Sequence, residues 1–92
     1  MARTVKAKLV PLGRTLATPG ALRRAGGVLA SLFHRHEHGD WGGVCASDAK
    51  LNDRALKTGE RILSEYTVGA TRIWVITEAD RSCTTALLPE EY

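Results

Sequence analysis

The run Ile73-Trp74-Val75-Ile76 constrains this chain more than any other stretch. Successive side chains of a strand point to opposite faces, so four apolar residues in a row mark a strand buried on both sides, at the centre of a sheet. The neighbouring sequence supplies its partners. Residues 61–68 and 71–77 are rich in β-branched and aromatic residues around Gly69, the pattern of a hairpin. Residues 78–82 read as the next turn and 83–88 as a last strand, ended by Pro89. A three-stranded antiparallel meander is expected from residue 61 onward.

Upstream the hydrophobic period differs. Residues 4–10 alternate, with Val5, Ala7 and Leu9 on one face and Thr4, Lys6 and Lys8 on the other, which predicts a half-buried strand ended by Pro11 and Gly13. Thr18-Pro19 reads as an N-cap with proline at the first helical position, opening a short helix that stops at Gly26-Gly27. A second helix is expected over 28–36, with Leu29, Leu32 and Phe33 as its apolar stripe, His36 next on that stripe and Gly39 as its stop. Ser47 or Asp48 should cap a third, with Leu51, Ala55 and Leu56 inward, an Asp53–Lys57 pair outside and Gly59 closing it. The expectation is an α+β fold: an N-terminal strand, two to three short helices, then the meander, with the helices packed on one face. At 92 residues, 1–92 is one domain.

With 43% hydrophobic and 25% charged residues the composition is that of a soluble globular chain. No apolar run approaches the ~20 residues of a membrane span, and no signal-peptide core is present, so a cytoplasmic protein without membrane contact is expected. Cys45 and Cys83 allow at most one bridge and give no redox motif. A dinucleotide fold needs more strands than this length supplies, and no cofactor is expected. The net charge of +3 is uneven: residues 1–33 hold Arg3, Lys6, Lys8, Arg14, Arg23 and Arg24, while all 10 acids lie beyond them. A basic flank of this kind suits a nucleic acid or an acidic protein surface.

Two segments concentrate functional side chains. In His34-Arg35-His36-Glu37-His38-Gly39-Asp40-Trp41, His34 and His38 share a helix face while His36 points away. His34 and His38 are the candidate metal ligands, but no second ligand cluster of fixed spacing accompanies them, so the segment reads as a helix C-terminus rather than a metal site. His36, on the apolar stripe, should be buried and needs an acceptor, which Asp40 or the turn holding Glu78 and Asp80 would supply. Thr77-Glu78-Ala79-Asp80-Arg81-Ser82 puts two acids, an arginine and two hydroxyls in six residues, with Thr84 and Thr85 following. His36, Asp40, Glu78, Asp80 and Arg81 are the candidate catalytic set if they converge. No serine elbow, phosphate-binding glycine loop or CxxC is present.

Several segments carry a resemblance. They are Leu16-Ala17-Thr18-Pro19-Gly20-Ala21-Leu22, Arg35-His36 with Gly39-Asp40-Trp41-Gly42, and Leu51-Asn52-Asp53-Arg54-Ala55-Leu56 with Gly59 and Arg61-Ile62-Leu63-Ser64. The most specific runs from Ile73 through Ser82, then Thr84-Thr85 and Leu87-Leu88-Pro89-Glu90-Glu91-Tyr92. Together they resemble a small family of bacterial proteins carried on plasmids and integrated mobile elements. Some members are labelled as type I restriction methyltransferase subunits, yet nothing here resembles the Asn-Pro-Pro-aromatic motif of amino-methyltransferases. The pattern carries over at His36, Gly39, Asp40, Trp41, Asn52, Trp74, Thr77, Glu78, Asp80, Arg81, Ser82 and Thr84. It departs at Gly43-Val44-Cys45, where relatives are acidic, and at Gly69, where their hairpins are longer.

The resemblance implies a mobile-element setting and no mechanism. The leading expectation is a small non-enzymatic interaction or inhibitor protein acting on a host defence or nucleic-acid-processing complex of the CRISPR or restriction type. Its contact surface is expected to combine Lys6, Lys8, Arg14, Arg23 and Arg24 with an exposed Trp41. A nucleic-acid-binding accessory protein using the same basic residues is the alternative. A small hydrolase or transferase built on His36 and the 78–82 turn is the second alternative.

Overall fold

The computed structural model describes residues 7–92. Strand β1, Arg14–Ala17, leads into helix α1, Pro19–Ala25, and a 3-10 turn, Gly26–Val28, joins it to α2, Leu29–Glu37. After a loop come α3, Ala46–Thr58, and the strands β2, Ile62–Val68, β3, Thr71–Thr77, and β4, Cys83–Leu87. The fold is α+β, but among the described residues the sheet has four strands in the order β1-β4-β3-β2. The meander is present as β2, β3 and β4, and β1 extends it by pairing parallel to β4, from Arg14 beside Cys83 to Ala17 beside Ala86. The sheet is therefore mixed, which corrects the expected three-stranded antiparallel arrangement.

The strand predicted over residues 4–10 is corrected where it is described, at 7–10. Residues 1–6, including Lys6, lie outside the described residues, and 7–10 belong to no strand. The backbone N–H groups of Leu9 and Val10 both donate to the Glu37 carbonyl, at 2.9 and 3.1 Å, so this segment crosses the end of α2 instead of joining the sheet. Its phase is also reversed: Val10 is buried and Leu9 exposed.

The start of α1 and the end of α3 lie where the caps predict. Thr18 accepts from the Ala21 N–H at the start of α1, and Gly59, in the left-handed region, ends α3. The N-cap of α3 is Cys45, ahead of the expected Ser47 or Asp48. On α3 the inward positions are Asn52 and Ala55, with Leu51 exposed, and Asp53 is used by Trp41. All three helices cover one sheet face. Ala21, Ala25, Leu29 and Leu32 pack on Tyr66, Ile73, Val75 and Ala86, while Ala55 and Trp41 pack with Ile62. Those strand residues are every second one in β2, β3 and β4 and lie side by side in the register. Leu63, Trp74, Ile76 and Leu87 occupy the alternate positions and form the outer face.

Candidate functional site

His36 is wholly buried, as its place on the α2 stripe predicts. Its partners differ from the expected carboxylates. Nδ1 lies 2.6 Å from the Ser64 hydroxyl and Nε2 lies 2.8 Å from the Thr77 hydroxyl. Thr77 Oγ1 in turn lies 2.7 Å from Thr84 Oγ1, which donates to the Leu12 carbonyl at 2.8 Å. A carbonyl only accepts, so the direction of every proton in the row follows. Thr84 donates to Leu12, Thr77 donates to Thr84, the His36 Nε2–H donates to Thr77, and Ser64 donates to Nδ1. The row ties α2 to β2, β3, β4 and the segment ahead of β1. Burial, with the Arg81 charge adding to it, pushes the His36 pKa down to about 4. The ring is neutral at pH 7.

The other candidate catalytic residues are engaged separately. Arg35 Nε meets Asp40 Oδ2 at 2.6 Å, and Asp40 Oδ1 accepts from the Gly42 N–H at 3.1 Å. Arg35 also stacks 4.6 Å from the Tyr66 ring centre, and the Asp40 hydrogen bond raises its pKa. Glu78 faces Arg61 at 3.7 Å. Asp80 accepts from the Ser82 side chain and N–H, which hold its carboxylate below the usual range. Arg81, at φ 61°, reaches back to the carbonyls of Ala55, Glu60, Glu78 and Ala79 and so closes the C-terminal end of α3. Only Arg81 of this set influences the His36 ring electrostatically.

Trp41 is corrected from exposed to buried, at 7% exposure. Its indole N–H donates to Asp53 at 3.0 Å, and its ring meets His36 edge-on with centroids 5.9 Å apart. The loop around it acts as a substitute strand against the free edge of β2. Glu65 N–H donates to the Trp41 carbonyl at 3.1 Å and Gly43 N–H donates to the Glu65 carbonyl at 2.7 Å. Two residues earlier in β2, Asn52 takes over: its side chain donates to the Leu63 carbonyl at 2.8 Å and accepts the Leu63 N–H at 3.2 Å. The backbone groups of Leu63 and Glu65, which an unprotected edge would offer to another chain, are thus satisfied internally.

Lys8 faces Glu37 at 3.7 Å. Arg14 opens β1 at the sheet edge, while Arg23 and Arg24 lie in the last turn of α1, Arg24 beside Arg72 and Glu90 in an open cleft of about 250 Å³.

The outer sheet face offers a different surface, one that sequence reasoning missed. Trp74 donates its indole N–H to Glu65 at 2.9 Å and meets Tyr92 edge-on at 5.7 Å. Arg61 stacks on Tyr92, and Arg72 faces Glu65 at 3.7 Å. Leu63 continues this face around the β2 edge to Leu51, where Asp48, Leu51, Asn52, Arg61 and Leu63 line an open cleft of about 220 Å³. Among the described residues no helix is long and apolar enough to cross a membrane.

His34 and His38 share the face of α2 opposite His36, and Glu37 joins them. Each offers a donor atom within 4.8 Å of the other two. The i, i+3, i+4 spacing of His34, Glu37 and His38 was the available signal for this third member. No family model matches this chain, and no curated protein or solved structure matches it either.

Proposed function

We propose that this chain is a non-enzymatic interaction protein that binds a protein partner through the outer face of its sheet. The observation that carries this reading is the mixture of chemistry on a face that the helices leave uncovered. Half-buried Trp74 on β3 and Leu63 on the edge strand β2 flank the buried Ile76 and Leu87, with Tyr92, Arg61 and Arg72 beside them and Leu51 at the margin. Aromatic and arginine side chains around an apolar centre are the usual anchors of protein interfaces. Leu51 and Tyr92 are 56% and 68% exposed, apolar surface that a partner would remove from water. The resemblance to mobile-element proteins favours a host defence or nucleic-acid-processing complex as that partner. Catalysis on the His36 row finds less support, because both ring nitrogens are occupied and the ring is shut off from solvent.

The test is affinity capture from nuclease-treated host extract with the wild-type chain, Leu51→Glu, Tyr92→Ala and, as a control on α1, Leu22→Glu. A stoichiometric protein partner that survives nuclease, is lost from the first two variants and is kept by the third is expected. Loss of every partner on nuclease treatment, or equal loss from Leu22→Glu, would overturn the reading.

A further inference from the structure

We infer that the last turn of α2 is a binding site for a divalent transition-metal ion of the zinc, nickel and copper class, held by His34, Glu37 and His38. Residues at i, i+3 and i+4 project from one helix face, and here two imidazoles and a carboxylate place donor atoms within 4.8 Å of one another. Two histidines and a carboxylate form a donor set that such ions favour and that calcium and magnesium do not.

Three further features prepare the site. The Nδ1–H of His38 donates to the His34 carbonyl at 2.8 Å. Since a carbonyl cannot donate, this bond fixes Nε2 as the His38 nitrogen with a free lone pair, the role that an outer hydrogen bond plays for metal-bound imidazoles. The His34 and His38 rings already lie together, with centroids 4.2 Å apart. The cluster is also at the negative end of the α2 dipole, which favours a cation. Bonds of ~2.0–2.1 Å put tetrahedral donors about 3.3 Å apart. His34 is exposed, which leaves its ring room to turn toward the other two donors. Three protein donors leave a fourth position for water or a partner's side chain.

Lys8 is the built-in competitor. Its ammonium lies 3.7 Å from Glu37 Oε2, so an ion on this carboxylate would sit close to a positive charge. This gives the site an unusual signature: removing a positive residue outside the ligand set should tighten binding.

Calorimetric titration of tag-free protein with zinc chloride, repeated with nickel chloride, tests the site in the wild type, His34→Gln, His38→Gln, Glu37→Gln and Lys8→Met. One ion per chain is expected, with affinity at least tenfold weaker in each histidine variant. Lys8→Met should bind several-fold more tightly. Imidazole NMR signals of His34 and His38 should move on titration while those of His36 stay in place. His34→Gln alters no hydrogen bond within α2 and remains informative should His38→Gln lose its fold. Absence of saturable binding, or binding unchanged in both histidine variants, overturns the assignment.

Discussion

The Nε2–H of His36 donates to Thr77 Oγ1 across 2.8 Å, and the only hydroxyl proton of Thr77 is committed to Thr84. The histidine is therefore held as a single neutral tautomer by a row that begins at Ser64 and ends on the Leu12 carbonyl. Nitrogen-15 NMR should show a protonated Nε2 and an unprotonated Nδ1 at pH 7. Thr77→Val keeps the side-chain shape but leaves the buried Nε2–H without an acceptor, and should cost roughly 1–3 kcal/mol in urea unfolding. A detectable Nδ1–H tautomer in the wild type would contradict the order of protons.

Stability should fall on mild acidification because of the same ring. Burial, then the Arg81 charge, lower its pKa from 6.5 to about 4 in the folded state, while the unfolded chain keeps the ordinary value. Between these two values the unfolded state takes up a proton that the native state refuses, so stability rises with pH through this window and is lost as pH falls. The slope is about 1.4 kcal/mol per pH unit and the full effect on the order of 3 kcal/mol. Urea midpoints in EDTA at pH 7.5, 6 and 5 measure it. A flat profile between pH 7 and 5 would show that His36 takes up its proton as readily in the fold as in the unfolded chain.

Asn52 occupies a position that a helical stripe would assign to an apolar residue, and the reason lies in another element. Its amide pairs with both backbone groups of Leu63 on the outer edge of β2. Asn52→Leu should leave a buried N–H and carbonyl unpaired, costing about 2–4 kcal/mol, and should open the edge to pairing between chains. Urea unfolding together with size-exclusion chromatography reads both effects. An unaltered midpoint and a monomeric profile would refute the role.

Which parts of this architecture are legible in sequence follows from where each residue finds its partner. The Gly69 hairpin, the Thr18-Pro19 helix start and the α2 stripe ending on His36 are local patterns, and the structure keeps them. Strand β1 has no such signal. Its four residues are all exposed at a sheet edge, and its partner β4 lies across nearly the whole chain, so no alternation marks it. Tryptophan is a common interface anchor, which makes an exposed Trp41 the expectation, yet the glycines around it let the loop close on β2. A Cβ on Gly42 would lie 2.0 Å from the Glu65 carbonyl oxygen. The burial of His36 was readable, but its hydroxyl partners come from β2 and β3, far away in sequence.

Gly42→Ala should therefore act through Trp41. The residue has φ 71°, and the new methyl would collide with backbone rather than with a movable side chain. The loop must lift from β2, breaking the Glu65–Trp41 and Gly43–Glu65 hydrogen bonds and hydrating the indole. A loss of at least about 2 kcal/mol is expected, with a red-shifted Trp41 emission measured in a Trp74→Phe background. Unchanged emission and stability would mean that the loop does not depend on this contact.

Arg81 provides the last test, because two effects oppose each other at one position. Its φ of 61° is a conformation in which a non-glycine residue costs ~1–2 kcal/mol, so glycine there removes strain. The guanidinium, however, donates to Ala55 and Glu60 near the end of α3 and to Glu78 and Ala79 in its own turn. Hydrogen bonds from a charged donor contribute ~1.5–3 kcal/mol each at most, and exposure reduces that. The bonds should outweigh the strain. Arg81→Gly should be net destabilising by about 1–2 kcal/mol, with faster amide exchange in the last turn of α3 while the β2–β3 hairpin stays protected. Asparagine, which tolerates the left-handed region but cannot span to α3, should behave like glycine. If either variant proves more stable than the wild type, backbone strain dominates and Arg81 does not clamp α3 to the turn.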